Sequence, residues 1–311
     1  MNINKEKIGH KKRDCITQPN LYFQFVILIF IFSFCSCSTS YKYSYELENE
    51  PIFKGSYIEN LSAKHVGQSF KVVTFNIEFA QNIEGAQEML MSRPLKDFDV
   101  LLLQEMDESG VISIAEAMKL SYIYYPAINH PKHKKNVGNA ILSKWPISKS
   151  EKFITGFSSS FPVLFEGTNY KFNKTATVAE ILLNGQLVSF VTTHAPAVNT
   201  SATKKDFANS IASFAQELGQ YVVVTGDFNT FGTYEAKQTA NSFRDHGFDW
   251  ASHHVGSTVS SVKSVLSVLP KTAFQLDHIF IKGFDLKYIS TVQQNGVSDH
   301  LPIVAEIIFR D

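Results

Sequence analysis

The sequence predicts an α/β fold in which two mixed β-sheets pack face to face with helices outside, and three observations lead there. Strand-like runs rich in Val, Ile, Phe and Thr recur eight times between Phe70 and Phe309. Helix-like segments sit between some of them. "LLNGQLVSF" sets Asn184-Gly185 between two such runs, a strong hairpin signal that makes an all-parallel sheet unsuitable. At 311 residues and 44% hydrophobic, the chain can bury a sizeable core as one large domain or two small ones.

Taken in order, the first 37 residues form a basic segment followed by an apolar run, Leu21 to Phe34, interrupted only by Gln24 and Ser33. Fourteen residues are short for a membrane span, which takes about 20, and the pattern predicts a secretory signal. All three cysteines (Cys15, Cys35, Cys37) lie in this stretch. The body therefore has no disulfide, thiolate metal site or cysteine nucleophile. The Phe-Cys-Ser-Cys ending resembles the lipobox of bacterial lipoproteins, with Ser36 before a lipidated Cys37. That resemblance implies export and anchoring outside the cytoplasmic membrane, and an uncleaved signal anchor would place the body on the same side. Residues 38–68 show no sustained period and are expected to be a tether and lead-in.

The folded body is expected over residues 69–311. Its strands are read at "FKVVTFNI", "DVLLLQE", "NAILSKW", "TATVAEILL", "QLVSFVTTHA", "YVVVTGDF", "LDHIFIKG" and "LPIVAEIIF", and its helices around 83–91, 112–119 and 205–218. In the last helix Phe207, Ile211, Phe214 and Leu218 recur at three- and four-residue spacing, one apolar face. Formal charge is balanced at 29 against 29, but the N-terminal segment is basic, leaving 24 basic and 27 acidic residues from Cys37 onward. A slightly acidic body argues against a nonspecific nucleic-acid coat, which needs many cationic contacts with phosphate. A monomer is expected.

Polar residues gather where these strands end. Asn76 and Glu78 follow "VVTF", Gln104 and Glu105 follow "VLLL", His194 follows "FVTT", and Asp227 and Asn229 close "VVVTGDFN". Asp277 and His278 open "LDHIFI", and Asp299 with His300 precedes "LPIVAEI". Turn chemistry accounts for any one of these, since Asx side chains bond the local backbone. It does not account for six, because a core gains nothing from gathering acids that repel one another. A hard cation reverses that cost, carboxylate and amide oxygens being the ligands magnesium prefers.

This ordered set, F-N-I-E, Q-E, T-H, G-D-F-N, D-H-I and S-D-H-x-P, resembles the endonuclease/exonuclease/phosphatase (DNase I-like) superfamily from about Phe70 to the C-terminus. The resemblance implies a four-layer α/β/β/α sandwich and cleavage of a phosphoester by water with Mg2+, or Mn2+ in its place. Carried over by position, it makes Glu105 the principal metal ligand, with Asn76 nearby and Asp299 completing the oxygen shell. His300 becomes the general base or the histidine on the phosphate, oriented by Asp277. Asp227 positions or deprotonates the attacking water, Asn229 fixes the phosphate, and His194 stabilises charge on the phosphate or leaving oxygen. Asn139, in "GNAILSKWPI", approaches the phosphate. Glu78 is open between a surface role and a second metal, and His278 is expected to pack. The basic loop "NHPKHKKN", His130 to Asn136, is a solvated loop or a cationic wall beside the cleft.

The expected substrate is a phosphodiester, in nucleic acid outside the cytoplasmic membrane. A phospholipid or small phosphoester is the alternative within the same chemistry, with Phe157, Phe161 and Phe165 as aromatics that pack in the core or touch lipid. A noncatalytic binding module on the same fold is the alternative of another class.

Overall fold

Val222, Val223 and Val224 show why the strands read as continuous apolar runs. Successive side chains of a strand point to opposite faces, and here both faces are covered: Val223 joins a central core, Val222 and Val224 an outer one. The computed structural model describes residues 41–42, 50–59, 69–159, 163–166, 168–197, 199–260 and 274–310, all within one compact unit, Tyr41–Asp311. The signal segment and Cys37 lie outside the described residues.

One sheet runs in the order β13 (Asp249–Trp250), β14 (Asp277–Lys282), β12 (Tyr221–Asp227), β11 (Gln186–His194), β10 (Asn173–Leu183) and β7 (Ile147–Ser158). The other runs β15 (Phe284–Thr291), β16 (Ile303–Phe309), β3 (Ser69–Asn76), β4 (Val100–Met106), β6 (Lys135–Ser143), β5 (Ser121–His130) and β2 (Phe53–Ser56). Each is mixed, with one parallel pair among its described strands: β11 with β12, and β3 with β4. A small third sheet joins β1 (Tyr41–Lys42), β9 (Thr168–Tyr170) and β8 (Val163–Phe165). Asn184-Gly185 turns β10 into β11 with Leu183 opposite Gln186, and positive φ at both residues (52° and 77°) marks the turn that an Asn-Gly pair favours.

Between the sheets, Phe70, Val72 and Leu102 pack with Val188, Phe190 and Ile279. Helices α1 (Ile83–Leu90) and α2 (Glu108–Met118) cover the seven-stranded sheet through Ala86, Leu90, Val111 and Ile114. Helices α3 (Ser201–Gln216) and α4 (Gly232–Arg244) cover the six-stranded one through Phe207, Ile211 and Phe243. The four layers are those the resemblance implied. Asn82, Asp107 and Thr200 cap the first three helices, each accepting a hydrogen bond from a backbone N–H of the first turn, an arrangement worth about 1 kcal/mol per cap.

The tether expected over 38–68 needs correction in part. Phe53–Ser56 is an edge strand, Phe53 pairing with Tyr124. Ile52 packs on the central core, and Lys152 Nζ donates to the Glu50 carbonyl. Three of the strand's four residues are exposed, so no alternation marked it in the sequence. Phe157, one of the three aromatics considered for lipid contact, packs edge to face on Phe207 at 5.6 Å. The side chains of Phe161 and Phe165 lie outside the described residues.

Candidate active site

Strand register brings the polar residues together. Parallel pairing sets His194 beside Asp227, and antiparallel pairing sets Asp227 beside Asp277, so the ends of β11 and β12 meet the start of β14. In the other sheet Asn76, the last residue of β3, pairs with Gln104. Gly226, just before Asp227, is required by this closeness, because a Cβ there would lie 2.1 Å from the Thr193 carbonyl oxygen. These strand ends border a cleft of about 560 Å³, lined among others by Glu105, His194, Asp227, Asn229, Asp299 and His300.

Irregular backbone then aims the side chains. The β4–β6 pairing is broken by a bulge between Leu103 and Met106, and within it Glu105 has φ 57°. Bulges re-aim side chains in this way, and a left-handed non-glycine residue carries strain. Asn229 also adopts φ 52°, which asparagine tolerates better than most residues. Extended geometry therefore ends at Asp227. The Asn229 backbone N–H donates to Asp227 Oδ1 at 2.8 Å, and its Nδ2 donates to the Ala195 carbonyl at 3.0 Å. The Asp-Phe-Asn stretch is thus a local turn and a cleft wall at once.

Asp227 is the centre of the network. Its Oδ2 accepts from Asn76 Nδ2 at 3.1 Å and lies 3.6 Å from both His194 Nε2 and His300 Nε2. Asn76 Nδ2 also donates to Glu105 Oε1 at 3.2 Å, while the Phe79 N–H donates to Glu105 Oε2 at 3.2 Å. Behind His300, Asp277 Oδ2 lies 2.8 Å from its Nδ1, and Asp299 Oδ1 lies 4.0 Å from its Nε2. Burial pushes Asp227 up to about 7, with His300 opposing and Asp277 reinforcing the shift. Burial likewise raises Glu105. Burial acts to lower His300, yet the carboxylates of Asp277 and Asp227 outweigh it and hold the ring well above its usual value. His194 is held well below its usual value by burial, then by Lys174 and His300.

All eight residues named from sequence for catalysis or metal border the cleft or support its rim; Asn76 and Asp277 do the latter through Asp227 and His300. Asn139 lines the cleft too, but its Nδ2 donates to the Thr175 carbonyl at 3.1 Å, tying one sheet to the other. Glu78 Oε2 accepts the Asp299 N–H at 3.1 Å and so holds the Asp299 loop. His278 packs as expected: Trp250 Nε1 donates to its Nδ1 at 3.1 Å and Thr230 Oγ1 sits 2.8 Å from its Nε2. The basic loop reaches the cleft through His130, but not as a cationic wall. Burial lowers His130 to about 4, and Lys135 Nζ is paired with Asp107 at 2.7 Å.

Sequence reasoning missed Lys174. It lines the cleft at the start of β10, lowered by burial against the pull of Glu105 and Asp227. Nothing in "FNKTAT" marks that lysine, because its significance comes from the acids folded around it.

The donor set fits a hard divalent cation. Glu105 and Asp299 supply carboxylate oxygens at the cleft, and the burial that raises Glu105 and Asp227 is a cost a dication offsets. Asn76, expected among the ligands, instead turns its Nδ2 to Glu105 and Asp227 while its Oδ1 accepts the Glu78 N–H at 3.1 Å, so it orients the carboxylates. Asp227, Asp277 and His300 also present ligand atoms within 4.8 Å of one another. However, the 2.8 Å contact between Asp277 and His300 is a hydrogen bond that occupies both atoms, so this trio suits proton work.

A family model described as "Endonuclease/Exonuclease/phosphatase family" matches residues 73–300. Among solved structures, a protein of that family from Bacteroides thetaiotaomicron superposes with a TM-score of 0.58 at 17% identity, covering 78% of this chain and 98% of its own. A mannosyl-6-phosphatase from Bacteroides thetaiotaomicron VPI-5482 gives 0.56 at 19% identity, with 77% and 100% covered. D. rerio TDP2, complexed with a single-strand DNA product, gives 0.59 at 14%, with 78% and 99% covered. No curated protein matches the sequence. At these identities the solved structures establish a shared fold.

Proposed function

Because the chain belongs to the endonuclease/exonuclease/phosphatase family, we propose that it is a divalent-metal-dependent phosphoester hydrolase, acting as a phosphodiesterase. The observation that carries the reading is Asp227, set 3.6 Å from each of two histidines and linked through Asn76 to Glu105. Glu105 and Asp299 would hold the cation, magnesium or manganese, with Asn76 orienting Glu105, and when bound it would neutralise nonbridging phosphate charge and acidify water.

Asp227, raised toward neutrality, orients the attacking water and takes its proton. Asp277 fixes His300 with Nδ1 turned inward and Nε2 toward the cleft. A ring held charged in this way donates to a phosphate oxygen, so the phosphate-contact role fits His300 better than the base role. His194, kept neutral, donates to the leaving oxygen, and the amide of Asn229 and the ammonium of Lys174 steady the remaining charge.

One observation favours the small-phosphoester reading over a long nucleic acid. Lys174 is the only lysine or arginine among the described residues lining the cleft, and a polyanion calls for several. The purified protein should be assayed, with magnesium and with chelator, on duplex DNA, RNA, sphingomyelin and inositol phosphates, with His300→Ala in parallel. Metal-dependent cleavage of one class, abolished in the variant, is the expected result. Cleavage unchanged by chelator or in His300→Ala overturns the reading, and cleavage of nothing favours a binding module.

The signal and Cys37 support a further part of the proposal: the enzyme is exported and lipid-anchored outside the cytoplasmic membrane. Metabolic labelling with palmitate should mark the wild type and not Cys37→Ser; equal labelling rejects Cys37 as the anchor.

A further inference from the structure

The same cleft has an aromatic, uncharged side that the hydrolytic chemistry does not use. Phe79, Ile128, His130 and Phe172 line it. The Phe79 and His130 rings meet edge to face at 5.3 Å, and His130 lies 5.3 Å from Phe172 at a 37° tilt. His133 stacks on Phe79 at 4.5 Å and 18°, while its backbone N–H donates to His130 Nδ1 at 3.3 Å. Burial lowers both histidines, so this side is neutral near pH 7.

The ring of Phe79 is held there at a conformational cost. Glu78, Phe79 and Ala80 all have positive φ (34°, 56° and 51°), a region that costs a non-glycine residue of order 1 kcal/mol or more. Two contacts lock the turn: the Phe79 N–H on Glu105 Oε2, and Lys135 Nζ donating to the Phe79 carbonyl at 2.5 Å. The backbone that positions the ring thus also bonds the proposed metal carboxylate, so ring and reaction centre are in fixed relation.

We infer that Phe79, His130 and Phe172 form a subsite for a flat unsaturated ring, and that the substrate is a compact phosphoester carrying an aryl group or a nucleobase. The inference rests on the hydrolase reading for its phosphate and on the aromatic wall for its ring. Stacking on such a wall is sequence-tolerant and needs no cation.

Binding of phosphonates, whose C–P bond the enzyme cannot hydrolyse, separates the two. Titration calorimetry of the whole protein with magnesium should find phenylphosphonate about tenfold tighter than methylphosphonate, as ring stacking implies. In Phe79→Leu, and separately in Phe172→Leu, that ratio should fall to about twofold while methylphosphonate affinity stays, which also shows the variants are folded. Equal affinity in the wild type, or an undiminished ratio in both variants, overturns the subsite. The 5′-phosphonate analogue of thymidine identifies the ring: tighter binding than phenylphosphonate assigns a nucleobase, weaker binding a directly attached aryl group. If the ring preference holds while no phosphoester is hydrolysed, the hydrolase reading fails and the subsite stands. Hydrolysis without ring preference has the opposite meaning.

Discussion

At the scale of single residues, the acids and histidines were legible because each stands where a strand stops or is about to start, while their partners were not. Lys174 is one such partner, and Lys174→Met should lower kcat/KM by about 10²–10³ with the melting temperature nearly kept, the loss expected for one preorganised donor. Asp277→Asn removes the charge that most raises His300 against its burial. The His300 pKa then falls, and the alkaline limb of the log kcat/KM profile should shift to lower pH; an unmoved limb would exclude His300 as the group titrating there. His278 has a stability consequence instead. Burial holds it at about 3 in the folded chain, against about 6.5 unfolded. The unfolded state therefore binds the extra proton between those values, and stability that is complete above the upper one is lost progressively as pH falls toward the lower. Urea midpoints should decline across that window, and less steeply in His278→Phe.

At the scale of elements, continuous apolar runs and the Asn-Gly turn identified the eight central strands, since burial on both faces leaves a signal that composition alone carries. Strands β5 and β7 and helix α4 carried weaker signals. β5 contains Pro126, β7 has the buried Lys152 among exposed polar residues, and α4 is mostly polar with a narrow buried stripe of Ala236, Ala240 and Phe243. No local pattern revealed the bulge at Glu105 or the left-handed turn at Phe79, because both are fixed by contacts between distant segments. The approach of β11 to β12 makes Gly226→Ala a test of the register: crowding against the Thr193 carbonyl should cost about 2–3 kcal/mol by chemical denaturation. Activity should fall further than stability does, since Asp227 and His194 move with the displaced strand.

At the scale of the molecule, the cleft is built from both sheets: Asn76 and Glu105 come from one, His194, Asp227 and Asp277 from the other. Sheet-to-sheet packing is therefore a condition for activity. Phe190→Ala, at the centre of that packing, should destabilise by about 3–5 kcal/mol and lose activity below its unfolding midpoint, as measured by parallel activity and circular dichroism in urea. The resemblance carried by ordered motifs reached this scale from sequence, whereas the place of β2 at the sheet edge did not. The strand order also ties the two halves of the site to one strand. β16 lies between β15 and β3, the strand that ends at Asn76. His300 lies three residues before its first residue, Ile303. Ser298 Oγ donates to the Asn76 carbonyl and His300 lies 3.6 Å from Asp227, so displacing β16 unseats a residue from each half of the site together, and strain along that one strand reaches both.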